Sequence, residues 1–369
     1  MPKAQETHLE IDLGALAHNY RYIRSQTDSR VKFMSVIKAY AYGSDSTAIA
    51  KKLAELGTDY FAVAYTNEGT RLREADIEKP IMVFHPQVFN FDELIENNLE
   101  PSLYGASIFE EFIKTAEAKN LKDYPVHLKF NTGMNRLGFT ADEIPKIMER
   151  LQQTDSVKVV SAFSHLAASD DWKEREFSLG QIHQFKNIAL KLIDGLGYEP
   201  ILHICNTSAI FNYPEAAFSM VRSGIGLFGF GNDENIDKHL KPVGTLKTVI
   251  SQFQDLKEGD TVGYNRTFTA KRPTQIATLP VGYADGIDRR YGNGRAGVFV
   301  HGKYAPIVGN VCMDIIMIDV TGIDCTEGDE VIIFGGPQHA TNLAAAGNTI
   351  SYELITGISQ RVTRIIIPE

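Results

Sequence analysis

Lys38 lies at the end of an apolar, strand-like run from Lys32 to Ala39. An amine that leaves water loses most of its charge solvation, so a lysine at the end of a buried strand is usually paired or does chemistry. The two candidates are a structural salt bridge and a Schiff base with a carbonyl compound. Position alone favours the salt bridge, because unpaired buried charge is rare.

Other polar side chains also follow strand-like runs. Lys129 and Asn131 end one run, on the same strand face by alternation, and His165 ends the next. Two later segments, Asn206-Thr207-Ser208 and Arg222-Ser223-Gly224-Ile225-Gly226, offer hydroxyls, an amide and glycines. Because glycines let backbone N–H groups approach a phosphate closely, these segments predict a phosphorylated ligand.

Each of these side chains also has a purely structural interpretation. His165 and His203 could be core histidines, and Thr207 and Ser208 could cap a helix. A metal site that includes His203 and Cys205 is disfavoured, since no ligand spacing supports it. Co-location favours chemistry instead. A Schiff-base-type lysine, phosphate-binding loops and an arginine, each at the end of a strand-like run, describe a pyridoxal phosphate pocket.

Short β-rich runs alternate with helical patterns between residues 32 and 226, which predicts a parallel α/β fold. The predicted strands are Lys32 to Ala39, Tyr60 to Tyr65, Pro80 to His85, Glu100 to Tyr104, Val126 to Phe130, Val157 to Ser164, Ile201 to Asn206 and Met220 to Gly224. Eight units favour a TIM-type barrel, with an open doubly wound sheet as the alternative. In such a barrel, functional groups lie at the C-terminal strand ends, where the polar residues above occur.

Near residue 241 the pattern changes to alternating strands separated by Gly, Asp and Asn turns. The predicted strands are Lys247 to Phe253, Gln275 to Val281, Gly297 to His301, Ile315 to Val320, Glu330 to Phe334 and Arg361 to Ile367, with helical patches at Asn342 to Ala346 and Ser351 to Gly357. We therefore expect a barrel over residues 12–240 and a mostly-β domain over residues 241–369, joined by an N-terminal strand within residues 1–11.

Composition limits the function classes. The chain has 369 residues, a formal charge of -9 and no basic run, which argues against a nucleic-acid partner. No apolar run approaches the ~20 residues that span a bilayer. The polar N-terminal segment lacks a signal-like apolar region, and three separated cysteines suit a reducing compartment. We expect a cytoplasmic protein that acts on a small molecule.

Six motifs, in order along the chain, resemble the alanine racemase family of fold-type III pyridoxal phosphate enzymes. They are Val36-Ile37-Lys38-Ala39-Tyr40-Ala41-Tyr42-Gly43, residues 127–138 with Lys129 and Arg136, Met220-Val221-Arg222-Ser223-Gly224-Ile225, Val262-Gly263-Tyr264, Val281-Gly282-Tyr283-Ala284-Asp285-Gly286 and Cys312-Met313-Asp314. The resemblance covers nearly the whole chain and implies interconversion of L- and D-alanine, which supplies D-alanine for peptidoglycan.

The resemblance also implies residue roles. Lys38 would hold the cofactor covalently and act as base on one face of the substrate α-carbon, and Tyr264 would act on the other face. Tyrosine has an unperturbed pKa of ~10, so nearby positive charge must favour its phenolate. In the family this tyrosine comes from a partner subunit, which implies a homodimer with shared sites.

Further residues would surround the cofactor and the substrate. Arg222 would face the pyridine nitrogen and leave it unprotonated, because guanidinium only donates hydrogen bonds. His165 would lie against the ring and bond to Arg222. Lys129, beside Arg136, is the position often found carbamylated. The resemblance places these residues around the phosphate: Tyr42, Asn206, Thr207, Ser208, Gly224 and Ile225. It places these on the substrate side: Arg136, Met313 and Tyr283.

The sequence departs from the family pattern at three places. Ser44-Asp45 replaces a usual His-Gly pair, Asn131 replaces an aspartate, and Gln360 stands where many relatives carry a tyrosine that narrows the entrance. The smaller Gln360 leaves open a broader racemase that acts on serine or lysine. A non-catalytic cofactor-binding regulator is disfavoured by Tyr264, and Cys312 keeps a decarboxylase of the same fold open.

Overall fold

The computed structural model describes residues 6–336 and 339–369. The chain divides into two compact units. The barrel unit comprises residues 17–41 and 46–241, and the β unit comprises the N-terminal residues up to Leu16, residues 42–45 and residues 242–369. The first five residues of the strand predicted within 1–11 lie outside the described residues.

The elements follow each other in the predicted alternation. The strands are β1 (His8–Asp12), β2 (Lys32–Val36), β3 (Tyr60–Val63), β4 (Ile81–Val83), β5 (Glu100–Leu103), β6 (Tyr124–Lys129), β7 (Val157–Phe163), β8 (Ile201–His203), β9 (Met220–Ser223), β10 (Gly244–Val249), β11 (Gln252–Leu256), β12 (Thr261–Val262), β13 (Phe268–Thr269), β14 (Thr274–Leu279), β15 (Gly297–Val300), β16 (Lys303–Val308), β17 (Ile316–Asp319), β18 (Glu330–Phe334) and β19 (Thr363–Ile367). The helices are α1 (Leu13–Ser25), α2 (Lys38–Gly43), α3 (Ser46–Glu55), α4 (Thr66–Glu74), α5 (Phe91–Glu96), α6 (Ala106–Ala118), α7 (Ile144–Leu151), α8 (Arg175–Leu196), α9 (Thr207–Asn212), α10 (Glu234–Asp237), α11 (Ala340–Ala346) and α12 (Ser351–Thr356).

The barrel unit is built on one parallel sheet in the order β8-β7-β6-β5-β4-β3-β2-β9. Its two edges approach each other, since the Ser219 N–H donates to the Leu202 carbonyl at 3.0 Å and the Arg222 N–H donates to the Cys205 carbonyl at 3.2 Å. The sheet is thus a nearly closed barrel. The predicted TIM-type fold is confirmed, and the open-sheet alternative is wrong.

Burial on both faces explains why the barrel strands read as nearly continuous apolar runs. Every residue of β3, β4, β5 and β9 is buried. One cluster of side chains from several strands packs together, and it comprises Met34, Val36, Tyr60, Ala62, Met82, Phe163 and Met220. Helices and turns surround the sheet, and within the described residues none is long and apolar enough to cross a bilayer.

Several predicted strands are longer than the observed ones, among them the run that carries Lys38. The run from Lys32 to Ala39 was expected to end on Lys38, but β2 ends at Val36 and Lys38 begins the helical turn α2. The apolar character of Ile37 continues the strand pattern, and its N–H still donates to the Ala62 carbonyl of β3 at 2.9 Å before the chain turns into α2. A hydrophobic residue indicates burial, and a buried residue can lie either in a strand or in a helical turn. Hydrophobicity alone therefore does not locate the end of the strand.

The β unit contains a sheet in the order β11-β14-β17-β16-β15-β18-β10-β1-β19 and a small β12–β13 ladder. β1 lies between β10, its antiparallel neighbour, and β19, its parallel neighbour. The single strand predicted from Lys247 to Phe253 is wrong, because β10 ends at Val249 and β11 begins at Gln252. Between them, the Ile250 N–H pairs with Asp329 and the Ser251 N–H with Thr278, so the chain changes neighbours.

Candidate active site

Lys38 begins a turn of unusual handedness. Ala39, Tyr40, Ala41 and Tyr42 have φ angles of 52 to 55°, and Gly43 has 81°. The left-handed conformation costs a non-glycine residue roughly 1–2 kcal/mol, so four in succession need external support. The Ala39 N–H supplies part of it by donating to Glu68 Oε1 at 2.6 Å. Strain of this kind is typical of functional segments, and here it adjoins the lysine.

Glu68 anchors this turn to the start of a neighbouring helix. Its other carboxylate oxygen, Oε2, accepts the Ala64 N–H at 2.7 Å, where the chain enters α4. A carboxylate at a helix N-terminus is stabilised by the helix dipole and by the free N–H groups there. One side chain therefore caps α4 and holds the residue that follows Lys38.

Lys38 itself is exposed at the C-terminal end of β2. Desolvation and then the positive charge of Arg136 lower the pKa of Lys38, and Glu68 opposes this. Among the described residues, Lys38 has no ion-pair partner, which removes the salt-bridge interpretation. A lysine whose amine is more easily deprotonated is a better nucleophile towards a carbonyl group.

Lys129 ends β6 close to several other cations. Its side chain is 9% exposed, and Nζ lies 5.7 Å from the centre of the Phe163 ring. Burial, reinforced by the charges of Arg136, Arg222 and Lys38, lowers the pKa of Lys129 to about 8. A small pocket is lined by Lys129, Phe130, Asn131, Met134, Arg136, Leu137, Ser164 and His165. Lys129, an amine of reduced basicity, and the guanidinium of Arg136 thus line the same small pocket.

Arg222 is buried in β9 and held by four acceptors. Nη1 donates to His203 Nδ1 at 2.7 Å, and Nη2 donates to the carbonyls of Ser164 at 2.7 Å and Ile204 at 3.1 Å. His165 Nδ1 lies 3.2 Å from the same Nη2. Burial lowers the pKa of Arg222 to about 10, which still leaves it charged near pH 7. Burial and Arg222 together hold the pKa of His165 well below its usual value, so this histidine is neutral.

The two predicted phosphate segments meet at the top of β8 and β9. Thr207 Oγ1 lies 3.1 Å from Ser223 Oγ, 3.3 Å from the Gly224 nitrogen and 3.4 Å from the Gly226 nitrogen. A Cβ added to Gly226 would lie 2.5 Å from the Thr207 methyl carbon, so this approach requires glycine. Ser208 and Ile225 are buried beside them. Hydroxyl and backbone donors are therefore concentrated here.

Asn206 has a structural task as well. Its Oδ1 accepts the Ala209 N–H at 3.0 Å as the cap of α9, and it also accepts the Ser169 hydroxyl at 2.7 Å. His203 has both ring nitrogens engaged, one by Arg222 and the other by Ser161 Oγ at 3.1 Å. No ring nitrogen of His203 is left for a metal ion. The barrel residues fit pyridoxal phosphate: an activated amine, a buried guanidinium and a cluster of phosphate donors.

In the β unit, three predicted residues surround one loop. The Tyr264 carbonyl accepts the Asn310 side-chain amide at 3.0 Å. The Tyr283 N–H donates to the Cys312 carbonyl at 3.0 Å, and the following N–H donates to the Met313 carbonyl at 3.0 Å. All three predicted side chains are exposed, Tyr264 the most at 72%. The loop from Asn310 to Met313 therefore presents Tyr264, Tyr283 and Met313 at the surface.

The sequence analysis missed Tyr352. This residue is the second of α12, and its ring centre lies 6.3 Å from that of Tyr42, a predicted phosphate neighbour. Gln360, which left the width of the entrance open in the sequence analysis, is exposed. A tyrosine is thus available beside Tyr42 from another position. The Ser351-Tyr352 pair gave no signal beyond a short helical pattern. Glu68 was missed as well, because it resembles any solvent-exposed helix residue.

Comparison with known proteins agrees with this geometry. Two family models match the chain: the alanine racemase N-terminal domain over residues 11–231 and the alanine racemase C-terminal domain over residues 243–366. Alanine racemase 2 of Caldanaerobacter subterraneus subsp. tengcongensis is 38% identical over 371 residues, 98% of this chain and 95% of the relative.

Solved structures show the same relationship. The alanine racemase of Clostridium difficile superimposes with a TM-score of 0.93 at 31% identity, over 99% of this chain and 97% of that one. The alanine racemase of Bartonella henselae, solved with covalently bound pyridoxal phosphate, has a TM-score of 0.90 at 28% identity, over 99% and 100% of the two chains. The chain belongs to the alanine racemase family, a family of pyridoxal phosphate-dependent isomerases.

Proposed function

We propose that this alanine racemase exchanges the α-hydrogen of alanine with two bases, Lys38 and Tyr264. When bound, pyridoxal phosphate supplies an electron-withdrawing ring that acidifies this hydrogen. The observation that carries the proposal is the desolvated Lys38 amine, whose lowered pKa favours the neutral form that accepts a proton. Racemisation needs bases on opposite faces, because a single base tends to return the proton to the side from which it came.

Arg222 has a distinct role in this proposal. Four acceptors at Nη1 and Nη2 fix its guanidinium, so an N–H group that these bonds leave over can face the pyridine nitrogen without reorienting. A group that only donates leaves that nitrogen without a proton. Thr207, Ser208 and the backbone at Gly224 and Ile225 hold the phosphate, with Tyr42 and Asn206 as further contacts. Arg136, Met313 and Tyr283 face the substrate.

The site is shared between two copies of the chain in this proposal. Tyr264 is 72% exposed, as expected for a base that a partner subunit uses. A homodimer would place the Tyr264 hydroxyl opposite Lys38 and close to positive charge from the barrel mouth. The enzyme would act in the cytoplasm and supply D-alanine for peptidoglycan.

Lys129 is proposed to carry a carbamate. At a pKa of about 8, about 9% of the amine is neutral at pH 7, compared with ~0.03% for an ordinary lysine. The neutral nitrogen attacks CO₂, forms an N–C bond and releases one proton. The product is an anion among the cations Arg136, Arg222 and Lys38, so its charge offsets the repulsion that lowers the pKa of Lys129.

A broader amino-acid racemase is the second candidate. The exposed Gln360 is smaller than the tyrosine that many relatives carry, which favours entry of serine or lysine. Met313 would oppose this by closing the substrate side. Competition between alanine, serine and lysine separates the two functions.

The test is exchange of the α-hydrogen in D₂O, followed by proton NMR with chiral analysis of products. Enzyme loaded with pyridoxal phosphate should exchange L-alanine and form D-alanine, and Tyr264→Phe should abolish racemisation while the cofactor stays bound. Tyr304→Phe is the matched control, because Tyr304 is also exposed in the β unit and should leave turnover unchanged. Full turnover in Tyr264→Phe would refute the two-base assignment.

A further inference from the structure

A chain of hydrogen bonds crosses the barrel interior and links side chains of five strands. It runs from Glu100 on β5 through His127, Ser161 and His203 to Arg222 on β9. The successive distances are 2.9, 2.6, 3.1 and 2.7 Å. All five residues are buried. We refer to them as the Glu100 relay.

The guanidinium of Arg222, at one end of the relay, determines which group donates in each hydrogen bond. A guanidinium only donates, so His203 Nδ1 must accept from Arg222 and the His203 proton must lie on Nε2. Burial and the charge of Arg222 hold the pKa of His203 well below its usual value, so the ring carries a single proton. His203 Nε2–H therefore donates to Ser161 Oγ.

The remaining bonds follow from this step. With its oxygen accepting from His203, the Ser161 hydroxyl donates to His127 Nδ1, and the His127 proton then lies on Nε2 and is donated to Glu100 Oε2. In the opposite arrangement, both histidines would donate to Ser161 and its hydroxyl hydrogen would lose its acceptor in the relay. A buried unsatisfied hydroxyl is costly. Only one direction satisfies every group.

The relay also connects two opposite charges. Among the described residues, Arg222 contacts no carboxylate: its acceptors are two histidines and two carbonyls. Glu100 is the carboxylate of the relay, and its neighbour Tyr60 has a pKa raised by burial and by the charge of Glu100. Aligned hydrogen bonds polarise one another in a low-dielectric interior, so an anion at one end strengthens the acceptor at the other.

We propose that Glu100 is a positioning residue of the racemase: it fixes the tautomer of His127 and the direction of the Ser161 hydroxyl, and these hold the His203 ring that accepts from the Arg222 guanidinium. This rests on the proposed role of Arg222 at the pyridine nitrogen. A misoriented Arg222 would change how strongly that nitrogen is hydrogen-bonded in the transition state, without changing contacts with the carboxylate of alanine.

The first readout does not need cofactor or activity. Ring ¹⁵N NMR of ¹⁵N-histidine-labelled, cofactor-free protein should show the ring proton of His127 and of His203 on Nε2, with Nδ1 as the acceptor. In Glu100→Leu, which removes the acceptor of His127 Nε2–H, the His127 signals should change, whereas His203 should stay protonated on Nε2 because Arg222 still donates to its Nδ1. Glu100→Gln keeps an acceptor oxygen and should retain the tautomers. Ser102→Ala is the control: Ser102 is buried on the same strand, and its hydroxyl has no hydrogen-bond partner among the described residues.

The second readout is a double-mutant cycle on the loaded enzyme. Glu100→Leu and Ser161→Ala should each lower kcat for alanine about tenfold, the effect of one charge-assisted hydrogen bond, with KM nearly unchanged. The double variant should be no slower than either single variant, because both cut the same relay. Glu100→Gln should recover part of the loss, and Ser102→Ala should behave like the parent.

The NMR and kinetic results distinguish the positioning role of Glu100 from its alternatives. His127 signals unchanged in Glu100→Leu, or losses in kcat that multiply in the double variant, would overturn it. Changed His127 signals with unchanged kcat would overturn the positioning role while leaving the racemase intact. A parent enzyme that fails to racemise alanine, yet shows the expected tautomers, would instead refute the proposed function.

Discussion

Lys129 allows a quantitative test of the electrostatics at the barrel mouth. Its pKa is lowered from 10.5 to about 8 in the folded protein, first by burial and then by three nearby cations. An unfolded chain restores the usual value. Because protonation is less favourable in the folded state, the charged amine destabilises the fold below pH ~8, and this penalty declines as the pH rises towards 10.5.

The magnitude follows from this difference in pKa. At about 1.4 kcal/mol per pH unit, the penalty is at most roughly 3 kcal/mol near pH 7, and it falls to about 1.4 kcal/mol near pH 9.5. Lys129→Met keeps an unbranched chain of similar length and removes the charge. In cofactor-free protein without bicarbonate, this substitution should therefore raise the free energy of unfolding near pH 7, with a smaller gain near pH 9.5.

The assay is urea unfolding followed by fluorescence. The chain has one tryptophan, Trp172, in the barrel unit, so its emission reports the unit that contains Lys129. Lys158→Met is the matched control: Lys158 is exposed on β7, and its Nζ lies 5.9 Å from the Tyr198 ring centre. The control should show little change at either pH. A gain from Lys129→Met that does not depend on pH, or a loss near pH 7, would refute the reasoning.

Three further predictions concern the backbone that supports the site. Glu68→Gln removes a charge that raises the pKa of Lys38, so the acid limb of the kcat/KM profile should move to lower pH; an unmoved limb would contradict this. Arg364→Lys loses the hydrogen bonds that Arg364 donates to the carbonyls of Gly43 and Ile358, at 2.9 and 3.0 Å. The free energy of unfolding, measured in urea, should fall by about 2 kcal/mol. An unchanged midpoint would show that these bonds contribute little. Gly138→Ala should destabilise the barrel by more than about 1 kcal/mol in the same urea unfolding experiment. The reason is that φ at Gly138 is 130° and a Cβ there would lie 2.5 Å from a backbone nitrogen. A variant of full stability would refute the requirement for glycine.

The barrel was predictable from the sequence because its strands are buried on both faces. Such strands must be short apolar runs, and the alternation with amphipathic helices leaves few other folds. The C-terminal ends of those runs then identify Lys38, Lys129 and Arg222 as candidates, since a parallel barrel gathers these ends at one mouth. The resemblance to a known family added the roles of these residues. Local patterns therefore predicted the architecture correctly and supplied the candidate residues of the site.

The left-handed turn that follows Lys38 could not be predicted from the sequence. Ala39, Tyr40, Ala41 and Tyr42 have no local preference for positive φ, and an apolar run followed by alanines suggests a strand or a right-handed helix. The turn exists because tertiary contacts, including the Glu68 carboxylate on Ala39, outweigh the local cost. Local propensity does not contain that information.

Sequence by itself determined which residue types lie at the strand ends, because burial and alternation are local properties of the chain. Only the tertiary structure decided how these residues act on one another. The members of the Glu100 relay are 27, 34, 42 and 19 residues apart, and the direction of its hydrogen bonds depends on distances that no sequence pattern encodes. The lowered pKa of Lys129 likewise arises from charges that meet only in the closed barrel. Electrostatic and hydrogen-bond energies depend on separation in space, and the fold sets that separation.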